Sequence, residues 1–172
     1  MITTILTILF LIVVVLLGLS IFRTRRMAAE AVQLVPQAGE IVPVAGGSVH
    51  YVDLGPKDAQ PLVMIHGLSG QLQHFTYALA GLLAQQYRVI AVDRPGCGYS
   101  ARESDALADP AEQGRMIGEA LDRLGVERPV LVGHSLGGAV SLAMAMDRPD
   151  RVGALALLWP ARQHADAGPE VF

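Results

Sequence analysis

The sequence predicts an α/β fold, a mostly parallel sheet with helices on both faces, preceded by an N-terminal transmembrane helix. Three observations carry this. Short strands that are apolar without alternation (Leu62–Ile65, Val89–Val92, Val130–Val132, Val152–Leu158) alternate with helical stretches, which requires a sheet buried on both faces. Three of these strands run into glycine-bearing loops, His66–Gly70, Asp93–Ser100 and Gly133–Gly138. The first 22 residues are almost wholly apolar.

From Ile2 to Phe22 no residue is charged, and 21 residues of helix span about 30 Å, the hydrocarbon thickness of a bilayer. A cleaved signal peptide should open with positive charge and close on a small-x-small site. Here nothing basic precedes the run and Arg23, Arg25 and Arg26 follow it, so residues 1–22 read as an uncleaved anchor in the lipid bilayer. Those arginines place the following domain on the cytoplasmic side. Residues 23–39, a basic flank and an Ala-rich stalk closed by Pro36 and Gly39, lead to a core domain at 40–172.

The core should open with a β-hairpin, Glu40–Ala45 and Ser48–Leu54 about Gly46-Gly47, with Pro43 marking the first as an edge strand. After the strand Leu62–Ile65, a helix over about Gln71–Gln85 places Phe75, Leu79, Leu82 and Leu83 on one stripe. Past Val89–Val92, a helix is signed by Asp109 as cap, Pro110 in first position and Glu112 at capping-box spacing. Ile117, Ala120, Leu121 and Leu124 form its buried face before Gly125 stops it. A largely apolar helix to about Met146 follows the strand at Val130, and Val152–Leu158 is one more strand.

Of the 172 residues 52% are hydrophobic and the net charge is −3, with no basic block of the size nucleic acid requires. Cys97 is the single cysteine, which excludes an internal disulfide. No histidines and acids stand at metal-ligand spacing, so no metal is expected. Gly96-x-Gly98-x-x-Ala101 matches a dinucleotide fingerprint formally. The polar stretch Arg102–Asp105 has no apolar helical period, however, and no cofactor is expected.

The chemistry concentrates at Gly133-His134-Ser135-Leu136-Gly137, a G-x-S-x-G pattern between strand and helix that reads as a nucleophile elbow. Gly133 and Gly137 lack the β-carbons that would clash in so tight a turn, and Ser135 is lifted clear of the sheet. The Leu136 N–H starts the helix beside any carbonyl that Ser135 attacks; with Gly67 turning the chain, the Leu68 N–H faces it as a second oxyanion donor. His66 reads as structural in its turn, and His134 as packed beneath the elbow, because consecutive residues leaving a strand point to opposite sides. His50 and His74 show no partner pattern.

The order His66-Gly67-x-x-Gly70, Asp93-Arg94-Pro95-Gly96-x-Gly98-x-Ser100, Gly133-His134-Ser135-Leu136-Gly137-Gly138 resembles the α/β-hydrolase superfamily over about Glu40 to Pro160. The resemblance implies an α/β-hydrolase fold, Ser135 as nucleophile and Leu68 with Leu136 as oxyanion hole. Haloalkane dehalogenases and epoxide hydrolases of that superfamily carry aspartate at the nucleophile. Serine points instead to acyl chemistry on a small, apolar, ester-like substrate, as in esterases, lipases and carbon–carbon bond hydrolases. The family also places an acid and then a histidine on loops after later strands. Downstream of Ser135 the only histidine is His164 and the acids are Asp147, Asp150, Asp166 and Glu170. Asp147 and Asp150 fall at the amino ends of the strands, and no histidine follows Asp166. The acid and histidine are therefore expected beyond Phe172, with this chain an N-terminal portion of a membrane-anchored serine hydrolase that is incomplete alone. A non-catalytic binding module on the same fold is the alternative.

Overall fold

The computed structural model describes residues 2–158, and the chain divides into two compact units, Met1–Ala38 and Gly39 onward. The first unit is a single helix, α1 (Ile2–Leu34), apolar and long enough over Ile2–Ala31 to cross a bilayer, a property that membrane spans share with signal sequences. The helix continues through the arginines and most of the stalk. Alanines there are strong helix formers, and Arg26 bonds Glu30 one turn on at 2.9 Å. It stops at Leu34 because Pro36 disfavours helical geometry at Val35.

Among the described residues the second unit holds a seven-stranded sheet. Its strands are β1 (Glu40–Val44), β2 (Gly47–Leu54), β3 (Pro61–Ile65), β4 (Arg88–Val92), β5 (Ala101–Arg102), β6 (Val130–His134) and β7 (Ala154–Leu158). The order is β1-β2-β4-β3-β6-β7, with β5 beside β2. The run β4-β3-β6-β7 is parallel, and β1, β2 and β5 pair antiparallel. Its helices are α2 (Gln73–Thr76), α3 (Leu79–Leu83), α4 (Pro110–Arg123) and α5 (Leu136–Asp147). Val63, Ile65, Ile90, Val92 and Leu131 join α4 and α5 in one apolar cluster, while Leu62, Met64, Val89 and Ala91 join Leu72, Phe75 and Ala80 in another. Alternate residues of each strand thus serve opposite faces, which is why these strands read as continuous apolar runs. Because β4 and β6 flank β3 on either side, the chain reverses its direction of travel across the sheet there. A crevice opens at such a point, outside the strands' carboxyl ends.

Three expectations are corrected in detail. The hairpin turn is Ala45-Gly46, with Gly47 inside β2 opposite Val44. Gly47 serves a close approach instead, since a β-carbon there would lie 2.2 Å from the Ala101 carbonyl of β5. The helix expected over 71–85 is broken at Ala78 (φ −142°) into α2 and α3, so that Leu79 and Leu82 face solvent and Ala80 is buried. Asp109 caps α4, accepting the Ala111 N–H at 2.8 Å, but Glu112 turns to Arg115 and no reciprocal capping box forms.

Candidate active site

The loops after β3, β4 and β6 share the carboxyl edge of the parallel strands. Ser135, between β6 and α5, has φ 52° and ψ −117°, a positive-φ conformation outside the left-handed helical well and costly for any residue with a β-carbon. Its N–H donates to the Leu158 carbonyl at 2.9 Å and its carbonyl accepts the Gly138 N–H at 2.8 Å. A β-carbon on Gly133 would lie 2.6 Å from the Gly137 carbonyl oxygen and from Ser141 Oγ. One on Gly137 would lie 2.1 Å from the Ile65 carbonyl oxygen. Both glycines are therefore fixed by close approach of backbone, and the elbow rests directly on the end of β3.

The loop after β3 lies against this elbow. A β-carbon on Gly67 would stand 2.9 Å from His134 Nδ1 and 3.2 Å from Ser135 Cβ. His66 is fully buried; its Nε2 accepts the Arg94 backbone N–H at 2.9 Å, so Nδ1 carries the proton and donates to the Gly67 carbonyl at 2.9 Å. Arg94, also buried, donates from Nε to the His66 carbonyl (2.9 Å), from Nη2 to the Gly67 carbonyl (3.1 Å) and from Nη1 to Gln113 Oε1 (2.8 Å). The Gly67 carbonyl also accepts the Gly70 N–H at 3.2 Å. Leu68 projects into solvent, and among the described residues neither its N–H nor that of Leu136 donates to a protein acceptor. The two groups lie just after β3 and β6, at the carboxyl ends of adjacent parallel strands.

Burial, followed by the charge of Arg94, holds the His66 imidazole below its ordinary pKa of 6.5. The unfolded chain therefore binds more protons than the folded one as pH falls below 6.5. The stability this histidine contributes is full above 6.5 and is lost on acidification. Thermal melts from pH 7.5 down to pH 5 (about 2.5 units) should show Tm falling. His66→Asn, which does not titrate, should flatten that slope; an equal slope in both proteins rules out His66 as its source.

The loop after β4 is organised by Asp93, wholly buried. Its Oδ2 accepts His50 Nδ1 (2.7 Å) and the Tyr99 N–H (3.0 Å), and its Oδ1 accepts the Leu72 N–H (2.8 Å). Ser100 Oγ donates to the Asp93 carbonyl at 2.7 Å and accepts the His50 N–H at 2.8 Å. His50 thus has a partner that sequence reasoning missed, 43 residues away and brought beside it by the pairing of β2 with β4. Arg94 was missed as well, since nothing in its local sequence marks it as buried. Cys97 is partly exposed in the same loop. Asp147 is the last residue of α5 and Asp150 lies in the turn after it, toward the opposite edge of the sheet, whereas His164, Asp166 and Glu170 lie outside the described residues.

A family model described as alpha/beta hydrolase fold matches residues 60–170. Among curated proteins the chain is similar to the dihydrolipoyllysine-residue acetyltransferase component of acetoin cleaving system of Pseudomonas putida, 37% identical over 131 residues, 76% of this chain and 34% of that protein. It is similar also to a 2-hydroxy-6-oxononadienedioate/2-hydroxy-6-oxononatrienedioate hydrolase of Cupriavidus pinatubonensis, 36% identical over 137 residues, 74% of this chain and 47% of that protein. Among solved structures, Epoxide Hydrolase A from Mycobacterium thermoresistibile matches with a TM-score of 0.64 at 26% identity, covering 70% of this chain and 38% of that one. The chain spans less than half the length of each of these relatives.

Proposed function

The chain belongs to the α/β-hydrolase fold family, and on that premise we propose that it carries the nucleophile half of a membrane-anchored serine hydrolase acting on an ester-like, acyl bond. The observation that supports this most is Ser135 itself, held at φ 52° between two glycines that tolerate no β-carbon. In the proposed reaction Ser135 Oγ bonds to the substrate's acyl carbon as its proton passes to a histidine. The carbonyl oxygen gains negative charge beside the N–H groups of Leu68 and Leu136, the leaving group departs with the proton, and water then releases the acyl group. A hydroxyl nucleophile at 135 favours acyl substrates, and an apolar small molecule suits an enzyme tethered to lipid by residues 2–22. The arginines after that segment favour a cytosolic domain.

Fluorophosphonate probes test nucleophile and orientation together. Intact cells carrying the unmodified gene should yield a labelled band with a membrane-permeant probe and none with an impermeant one until lysis. Ser135→Ala should remove the band. Equal labelling of wild type and Ser135→Ala refutes the nucleophile assignment and leaves a binding module; labelling of intact cells by the impermeant probe reverses the orientation.

A further inference from the structure

We propose that Arg94 is a positioning residue for the oxyanion hole: its buried guanidinium, bonded to the His66 and Gly67 carbonyls, fixes the Gly67–Leu68 peptide with its N–H toward the reacting carbonyl and polarises that N–H. The inference rests on the oxyanion role proposed above for Leu68.

Every described peptide bond is trans, so the carbonyl of Gly67 and the N–H of Leu68 point in opposite directions from one plane. Whatever fixes the carbonyl therefore aims the N–H. Three donors converge on that one oxygen: Arg94 Nη2, His66 Nδ1 and the Gly70 N–H. Only one of the three is a full charge. Its other hydrogen bonds hold it in place, since Nε spans to the His66 carbonyl and Nη1 to Gln113, whose Nε2 is anchored on the Ala108 carbonyl at 2.6 Å.

The environment gives that charge reach. Arg94 is almost wholly buried, yet among the described residues it makes no salt bridge. A guanidinium remains protonated under such conditions. With no carboxylate within 4.0 Å of it among the described residues, its field falls on the peptides it touches. A cation at the oxygen end of a peptide draws electron density from the nitrogen end and makes the N–H a stronger donor, an effect amplified by the low local dielectric. A buried cation held by neutral acceptors alone is expensive, and a neutral side chain would fill the same space at less cost. The position of this charge, on the two carbonyls preceding the Leu68 N–H, is what a role in the hole explains.

The test is carried out on the full chain in detergent, with Arg94→Met, Arg94→Lys and Ser135→Ala. Amide hydrogen exchange is followed at 66–70 and, as internal references, in β3, β4 and β6. Arg94→Met should accelerate exchange at 66–70 roughly tenfold and leave the reference strands unchanged, the loss expected for a charged hydrogen bond. Arg94→Lys, which keeps the charge without the fork, should fall between. The fluorophosphonate labelling rate at saturating probe should drop in the same order, with the half-saturating concentration little altered. Unchanged exchange at 66–70 overturns the proposal. So does a rise spread evenly over the reference strands in both variants, which marks a merely structural residue, and so does undiminished labelling where exchange has risen. If Ser135→Ala labels like wild type, the serine-hydrolase reading has failed, and the exchange data alone judge whether Arg94 holds the peptide.

Discussion

Alanine at Gly137 is expected to cost at least about 3 kcal/mol, above the usual range for one excess methyl in a core and a large part of a typical domain's stability. The methyl group would stand 2.1 Å from the Ile65 carbonyl oxygen and 2.6 Å from that of His66. Both are backbone atoms at the end of β3, so no rotamer change relieves the contact, and α5 must part from the strand it crosses. Gly81 supplies the control. It lies in α3, and a β-carbon there meets nothing within 4 Å. Gly81→Ala should therefore be neutral or slightly stabilising through helix propensity. Chemical denaturation of the two variants beside wild type measures the difference. A Gly137→Ala protein as stable as Gly81→Ala contradicts the packing described for the elbow.

The second large effect belongs to Asp93. Its carboxylate accepts from His50 Nδ1, the Leu72 N–H and the Tyr99 N–H, all away from solvent or nearly so. Asp93→Ala strands all three donors at once, and breaking a buried charged network of this kind costs about 3–5 kcal/mol. The damage should not be confined to the variant's own loop. Leu72 precedes α2 and His50 lies in β2, so the start of one helix and an antiparallel strand loosen together. Denaturation midpoints measure the loss, and a double-mutant cycle with His50→Ala apportions it. A loss under about 1 kcal/mol would mean that the donors find other acceptors cheaply.

Much of this fold was legible in the sequence because its parallel strands are buried on both faces, which leaves runs such as Leu62–Ile65 and Val89–Val92 with no polar residue to confuse them. The elbow was legible for a related reason: two glycines around a serine record backbone contacts so close that the chain has no other residue to offer. What stayed hidden depends on contacts distant in sequence. Apolar spacing alone extended one helix across Ala78, yet Phe75 and Ala80, five positions apart and so about 140° apart on a continuous helix, both face the core. Only a break between them allows it. β5 is two residues long and carries no period to detect. Arg94 looked like an ordinary loop residue, since the carbonyls that solvate it belong to His66 and Gly67 on another strand's loop.

Under the proposed function, the backbone of Ser135 places stability and chemistry in competition at a single residue. At φ 52° and ψ −117° glycine would rest more easily than serine, so the fold pays for its hydroxyl wherever the chain is folded, whether or not substrate is present. In a lineage kept only for binding, nothing would oppose the exchange of that serine for the residue the turn prefers. Under the proposed function the serine at 135 is a standing cost that only reactivity offsets, and its presence or loss among descendants of this chain would record whether that reaction is in use.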